Sequence, residues 1–119
     1  SFTWYGGDNW VTLSRTAASY VTGSPAAARI TRALRRTVLP EESLFQSILL
    51  NSPLAPKVLN DHRRKIKWLP ARASPELFTA ADWPLLQEAA RQGAWFARKF
   101  GPEIEIRDLI DRNLVSVSP

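Results

Sequence analysis

The sequence contains no cysteine and only one histidine, His62. The absence of cysteine excludes a disulfide, a thiolate nucleophile and a cysteine-ligated metal site within these 119 residues. A single histidine also excludes a metal site built from several histidines. These exclusions hold as long as no second chain completes a site.

Methionine and long apolar runs are absent as well. No methionine occurs at position 1 or elsewhere, so we expect the chain to be a fragment of a longer protein. The longest apolar stretch lies near Ile48–Leu50 and falls far short of the ~20 residues that a membrane span needs. Residues 1–4 lack the basic start and the apolar run of a signal peptide.

The composition favours a folded chain with a basic surface. Hydrophobic residues make up 45% of the sequence, and five tryptophans are present, which is typical of a globular domain. Sixteen basic and eleven acidic residues give a net charge of +5. This surplus favours anionic partners such as phosphates, nucleic acids or acidic lipids, and it does not choose among them.

Local patterns predict helices that alternate with short extended pieces. Ser14 and Ser24 are suited to cap helices, and Thr79 with Asp82 resembles a capping box. We predict helices at about residues 15–21, 25–36, 40–50 and 80–92, and from residue 102 onward. Extended character is predicted at residues 2–5, 10–13 and 65–68, whereas residues 95–100 fit a strand or a tight loop. The fold class is therefore α/β, with too few strands for a complete sheet.

Four stretches, in this order, resemble the C-terminal half of the core-2/I-branching and peptide-O-xylosyltransferase family. They are Gly6–Arg15, Leu39–Ser52, Ser74-Pro75 with Phe78 and Asp82, and Phe96–Phe100. The first is similar to the family's glycine, tryptophan and "LSR" segment, and the second to its "PDE" or "PAE" block that ends in "NS". The third is similar to the segment before the last long helix of the xylosyltransferases, and the fourth to the family's "FARKF".

The resemblance implies the C-terminal portion of a GT-A-type glycosyltransferase fold, with several helices around a few short strands. Residues 1–119 are then a single fragment, the acceptor- and diphosphate-binding half of the domain, and the N-terminal nucleotide-binding half is absent. The implied reaction is an inverting transfer of N-acetylglucosamine or xylose from a UDP-sugar to a hydroxyl of a glycan or protein. No cofactor and no divalent metal are implied. The expected partners are the UDP-sugar, the acceptor and the missing half, and we expect the isolated fragment to be inactive.

An inverting transfer needs a base that takes the proton of the acceptor hydroxyl while its oxygen attacks the anomeric carbon. The resemblance implies that Glu42 is this base and that Glu41 has a supporting or surface role. An acidic residue in the first turn of a helix is also favoured by the helix dipole, without any catalytic role. Because the dipole weakens such a carboxylate as a base unless burial opposes it, we expect Glu42 to face a partly desolvated cleft.

The leaving nucleoside diphosphate needs positive charge near its phosphates, because negative charge grows there as the bond to the sugar breaks. The family uses basic side chains where many GT-A enzymes use a metal, and the resemblance places Lys99 at the diphosphate. Arg98 and Arg72 are further candidates, since a guanidinium can bind a phosphate through two hydrogen bonds. Either arginine is equally well explained as a solvated surface charge.

Asp8, Asn9 and Trp10 follow two glycines, where the backbone can approach a ligand closely. The resemblance places these three residues on the acceptor and donor-sugar side of the cleft. Xylosyltransferases carry an aspartate directly before the tryptophan, whereas this sequence has Asn9 there and Asp8 one position earlier. Trp10 is also explained as a residue of the core.

Two other functions remain open at this point. A non-catalytic module that binds a glycan or a nucleotide is the first alternative. A basic nucleic-acid-binding domain is the second, because Arg29, Arg32 and Arg36 share one face of a predicted helix; our main interpretation expects no nucleic acid. The lack of cysteine favours a cytoplasmic bacterial protein over the disulfide-rich enzymes of the Golgi lumen.

Overall fold

A computed structural model describes residues 1–114 of the chain. The chain divides into two compact units, Ser1–His62 and Arg63–Pro119. They are called the N-terminal unit and the C-terminal unit below, and each is described by itself.

Helices α1 (Arg15–Gly23) and α2 (Pro25–Leu34) follow each other with only Ser24 between them and contact each other in the N-terminal unit. The predicted caps are confirmed: the Ser14 side chain accepts a hydrogen bond from the Ala17 N–H, and Ser24 caps α2 with Pro25 in the first turn. Helix α2 ends at Leu34 rather than near Arg36. The chain turns there because the Thr37 N–H and hydroxyl both donate to the Leu34 carbonyl.

The third predicted helix is split into two pieces. Pro40–Glu42 form a single 3-10 turn, and helix α3 covers Leu44–Leu50. The break lies at Ser43, whose backbone (φ −134°, ψ −18°) departs from helical geometry. Glu42 therefore lies in the turn before α3 and not in the first turn of that helix, so the dipole argument made from the sequence does not apply to it.

The core of the N-terminal unit lies between α2 and α3. Ala27, Ile30 and Leu34 pack against Ile48, and all four side chains are buried. Because the residues of α2 recur at intervals of three and four, they share one face of that helix. Partly buried residues surround this core: Phe2, Tyr20, Val21 and Leu44.

The C-terminal unit contains two parallel strands, β1 (Arg64–Ile66) and β2 (Phe96–Arg98), which pair in the register Arg64–Phe96 and Ile66–Arg98. Strand β1 begins one residue before the predicted start, and it ends before Lys67, whose carbonyl accepts the Glu76 N–H instead. Residues 96–98 are a strand, which settles the choice between strand and loop. An isolated parallel bridge also joins Phe78 to Phe100.

The predicted capping box is confirmed: Thr79 and Asp82 bind each other's backbone around a 3-10 turn, Ala80–Asp82, which leads directly into α4 (Trp83–Arg91). The predicted helix at residues 80–92 is therefore a 3-10 turn followed by an α-helix. Helix α5 covers Glu105–Asn113 and starts three residues after the predicted Pro102. It starts late because the Arg107 side chain occupies the carbonyls of Pro102 and Glu103.

Phe78, Leu86 and Ile106 are the buried centre of the C-terminal unit. The Phe78 and Phe100 rings lie 5.5 Å apart between centroids, a separation at which aromatic rings attract each other. Along residues 1–114, no helix combines the length and the apolar character that crossing a bilayer requires. The described chain is thus a mixed α/β structure, as the sequence predicted.

Candidate active site

A cavity of about 670 Å³ lies in the N-terminal unit. Its volume falls within the range of about 300–1,000 Å³ that is typical of sites for small ligands. Three parts of the chain line it: residues 6–8 and 10–13, helix α3 through Phe45, Gln46, Leu49 and Leu50, and residues 58–62. The lining combines an apolar floor with the polar side chains of Asp8, Asn60, Asp61 and His62.

Hydrogen bonds from α3 and the turn before it hold the chain that leads to this cavity. The Asn51 side chain binds both the N–H and the carbonyl of Thr3, at 2.9 and 2.7 Å. The Ser47 hydroxyl binds both groups of Tyr5, each at 3.1 Å. The Gly7 N–H then donates to the Glu42 carbonyl at 2.8 Å.

Ser43, Ser47 and Asn51 form a polar stripe on α3 and its cap, four residues apart. Ser43 accepts a hydrogen bond from the Trp4 indole N–H at 2.9 Å. From Thr3 to Tyr5 the extended chain advances ~6.6 Å, and from Asn51 to Ser47 the helix advances ~6.0 Å, so these two spacings nearly match. Ser43 lies outside this register, because it binds the side chain of Trp4 and not its backbone. This match explains why the predicted strand at residues 2–5 joins no sheet: a helix supplies its hydrogen-bond partners.

Gly7 and Gln46 meet at the rim of the cavity. A Cβ atom on Gly7 would lie 3.0 Å from Gln46 Nε2, which is too close for an ordinary contact. The same Nε2 donates to the Asp8 carbonyl at 2.6 Å. The absence of a side chain at position 7 therefore lets Gln46 reach across and fix the backbone of Asp8.

The backbone of Glu42 makes two hydrogen bonds, whereas its side chain is exposed. Its N–H donates to the Leu39 carbonyl, and its own carbonyl accepts the Gly7 N–H. The expectation of a partly desolvated Glu42 is not met in the N-terminal unit. The 3-10 turn directs Glu41 and Glu42 to the surface, whereas the following Ser43 is buried.

Asp8 and Trp10 line the cavity, whereas Asn9 is exposed and does not line it. Asp8 Oδ1 accepts the Trp10 N–H at 3.1 Å, which holds the turn, and Asp8 Oδ2 lies 3.9 Å from His62 Nε2. The aspartate that faces the cavity is thus one position earlier than in the xylosyltransferase pattern.

The three predicted diphosphate-binding cations lie in the C-terminal unit. Arg98 ends β2, and Lys99 follows it; both are half-buried. The Lys99 carbonyl accepts the Phe78 N–H at 2.8 Å, so the backbone at this position is fixed. Arg72 is 67% exposed and lies 4.0 Å from Glu76, a separation at which a surface ion pair contributes little.

Sequence reasoning missed the polar stripe, Gln46 and residues 58–62. The stripe has a visible signal, because three hydrogen-bonding side chains recur at intervals of four in a helix that is otherwise mostly apolar. Residues 58–62 carry no such signal, because only the fold brings them to the cavity. Within the part of the chain that the structure describes, no three acidic or histidine side chains are grouped to hold a metal ion.

Comparison with known proteins gives matches over most of the chain. The family model described as "Core-2/I-Branching enzyme" matches residues 1–88. "Xylosyltransferase oxt" of Drosophila melanogaster is 32% identical over 117 residues, which cover 83% of this chain and 13% of that protein. "Xylosyltransferase 2" of Mus musculus is 30% identical over 132 residues, which cover 96% of this chain and 15% of that protein. The chain therefore spans only about a seventh of the curated relatives that it matches.

These relatives overturn the predicted cytoplasmic bacterial location. The matched xylosyltransferases come from flies and mammals, including Homo sapiens at 29% identity. The prediction rested on the absence of cysteine from 119 residues. A piece of that size samples too little of a long protein to report its disulfide content, so the inference was wrong.

The family model and the xylosyltransferase relatives point to the same family. Every residue that lines the cavity lies between residues 6 and 62, and therefore within the matched residues 1–88. The Pro40–Glu42 turn lies within them as well. The matched residues also contain the stretches that suggested the resemblance, except for Phe96–Phe100. The chain belongs to the Core-2/I-Branching enzyme family.

Proposed function

We propose that the chain is part of an inverting, metal-independent glycosyltransferase that moves N-acetylglucosamine or xylose from a UDP-sugar to an acceptor hydroxyl. The observation that carries the proposal is the family membership together with the bond from the Gly7 N–H to the Glu42 carbonyl. This bond ties the turn of the proposed base to the rim of a cavity of ligand size. In this proposal, the chain carries part of a GT-A-type domain.

Glu42 acts as the general base. Its carboxylate takes the proton of the acceptor hydroxyl, and the acceptor oxygen attacks the anomeric carbon from the side opposite the nucleotide. The bond between this carbon and the diphosphate oxygen breaks, and UDP leaves with the electron pair. The exposure of Glu42 supports this role in one respect, because an acceptor has direct access to the carboxylate.

Asp8, Asn9 and Trp10 bind the sugar or the acceptor; they follow Gly7, whose N–H meets the Glu42 carbonyl. Trp10 lines the cavity and is 37% exposed, so its ring offers an apolar face with a polar edge to a ligand. Asp8 lines the same cavity and has a carboxylate that can accept hydrogen bonds from hydroxyl groups. Asn9, which is exposed, has the weakest structural support of the three.

Lys99 binds the donor diphosphate and stabilises the charge that develops on it, with Arg98 beside it and Arg72 as a minor contributor. A half-buried lysine on a fixed backbone suits this role, because preorganised cations stabilise developing charge better than mobile ones. Arg72 is less suited, since it is mostly exposed and lies near Glu76.

The test uses the full-length protein in EDTA. We expect UDP to raise its melting temperature and labelled UDP-N-acetylglucosamine or UDP-xylose to give transfer to a glycan or protein acceptor. Lys99→Met is expected to weaken UDP binding at least tenfold, whereas Lys57→Met, which removes an exposed lysine of the N-terminal unit, is not. UDP binding without transfer or donor hydrolysis points to a non-catalytic module. Steeply salt-dependent DNA or RNA binding without UDP binding points to a nucleic-acid-binding domain.

A further inference from the structure

Ser47 is completely buried and uses its hydroxyl entirely on the chain that leads to the cavity. The hydroxyl donates to the Tyr5 carbonyl and accepts the Tyr5 N–H, both at 3.1 Å. A buried hydroxyl that binds both the N–H and the carbonyl of one residue fixes the backbone of that residue, both in its position along the helix and in its distance from the helix. Ser47 lies on the same helix as Phe45, Gln46 and Leu49, which line the cavity.

The segment continues directly from this anchor to the site. Two residues after Tyr5, the Gly7 N–H meets the Glu42 carbonyl at 2.8 Å, and one residue later Gln46 holds the Asp8 carbonyl at 2.6 Å. In the direction of the N-terminus, the next side chain that binds the backbone is Asn51, at Thr3. Ser47 is thus the central anchor between a peripheral one and the contacts at the site itself.

We propose that Ser47 is a positioning residue for glycosyl transfer, which keeps the rim residues Asp8 and Trp10 in register with Glu42. The inference rests on the function proposed above and extends it to a residue that contacts neither the cavity nor the reacting atoms. Without the two bonds to Tyr5, the segment loses its central anchor, and the bonds of Gly7 to the Glu42 carbonyl and of Gln46 to the Asp8 carbonyl no longer have a fixed chain before them. The rim then moves relative to the base, and a displacement of about 1 Å can lower the rate of a positioned reaction about 100-fold.

Ser52, which lies just after the end of α3, offers a matched control. Ser52 is 8% exposed and also makes two hydrogen bonds, donating to the Leu49 carbonyl at 2.7 Å and accepting the Leu54 N–H at 3.0 Å. These partners lie at the end of α3 and in the turn after it, and neither belongs to residues 2–10. Ser52→Ala therefore removes the same kind of buried hydroxyl as Ser47→Ala without releasing the chain that leads to the cavity.

The experiment compares Ser47→Ala, Ser52→Ala and the hydroxyl-retaining Ser47→Thr in the full-length protein. The melting temperature, the Kd of UDP, and kcat and KM for the acceptor are measured. We expect both alanine variants to lower the melting temperature by similar amounts. Ser47→Ala should lower kcat/KM for the acceptor at least tenfold with the Kd of UDP unchanged, Ser52→Ala should remain within twofold of the wild type, and Ser47→Thr should recover most of the loss.

Equal kinetic effects of the two alanine variants would overturn the inference, because they would make Ser47 a residue of stability only. The same conclusion follows if Ser47→Ala melts at a lower temperature but transfers sugar within twofold of the wild type. A wild-type protein that transfers no sugar refutes the proposed function itself and removes the reaction that Ser47 is said to serve. The two failures are therefore distinguishable in one set of measurements.

Discussion

Replacing Asp82 by asparagine is expected to destabilise the C-terminal unit by about 2 kcal/mol at neutral pH and by less near pH 3. The Asp82 carboxylate accepts the Thr79 N–H at 2.9 Å and lies 2.9 Å from the Lys67 ammonium. The pair is largely shielded, since the side chains of Asp82 and Lys67 are 15% and 24% exposed. Asparagine keeps the shape of the cap but removes its charge.

The magnitude combines two contributions. Loss of a helix-capping side chain costs about 0.5–2 kcal/mol, and a hydrogen bond to a charged group contributes about 1.5–3 kcal/mol. Asparagine retains an oxygen that can accept the Thr79 N–H, so the loss lies well below the sum of the two. An estimate of about 2 kcal/mol follows for the loss of the charge-assisted contacts of Asp82.

The pH dependence follows from the sign of the pKa shift. The Thr79 N–H and then the Lys67 ammonium hold the pKa of Asp82 below its ordinary 3.8, although burial opposes them. A carboxyl whose pKa is lower in the folded state stabilises the fold above the unfolded pKa, and this stabilisation is lost as the pH falls through the folded pKa. The difference between wild type and Asp82→Asn should therefore be complete at pH 7 and shrink below pH 3.8.

Urea unfolding followed by tryptophan fluorescence at pH 7 and pH 3 measures both quantities. Glu88→Gln is the control, because Glu88 pairs with Arg91 at 3.0 Å on a surface where the two side chains are 52% and 69% exposed. We expect this control to lose at most about 0.5 kcal/mol. An equal loss for Asp82→Asn at both pH values would refute the electrostatic reasoning and leave packing as the cause.

Further predictions concern the core and two glycines, and the same unfolding measurement checks them. Leu34→Ala should cost about 2–5 kcal/mol because Leu34 is 1% exposed in the core of the N-terminal unit, whereas Leu39→Ala, at a 52% exposed position, should cost less than about 1 kcal/mol; equal losses would contradict the described core. Gly93→Ala should cost more than about 1 kcal/mol, since Gly93 has φ +91° and a new Cβ would lie 2.7 Å from Arg63 Nη1. Gly23→Ala should instead stabilise by up to about 1 kcal/mol, because nothing lies within 4 Å of the added atom; a loss there would contradict a helical conformation at the end of α1.

The elements with local signals were the predictable part of the fold. Ser14, Ser24 and the Thr79–Asp82 pair were recognised as caps because the interaction that starts a helix involves residues only two or three positions apart. Boundaries failed where a distant or side-chain partner replaced the helical hydrogen bond. Arg107 delays α5 in this way, and Thr37 ends α2 early.

The site was predictable in its residue types and less so in its geometry. Asp8 and Trp10 were expected at a cleft, and both line the cavity. The exposure of Glu42 was not expected, because it depends on the split between the 3-10 turn and α3, which no periodic pattern reveals. The role of Ser47 depends on Tyr5, 42 residues away in sequence, so only the folded chain shows it.

The central claim, that Glu42 is the base of a sugar transfer, is tested most directly by comparing Glu42→Gln with Glu41→Gln in the full-length protein. The two side chains are neighbours in one exposed turn, so the pair controls for local charge and stability. General base catalysis contributes about 10²–10⁴-fold, and we predict that Glu42→Gln lowers kcat by at least that lower bound with the Kd of UDP unchanged. Glu41→Gln should remain within a few-fold of the wild type. Full transfer activity in Glu42→Gln would contradict the claim.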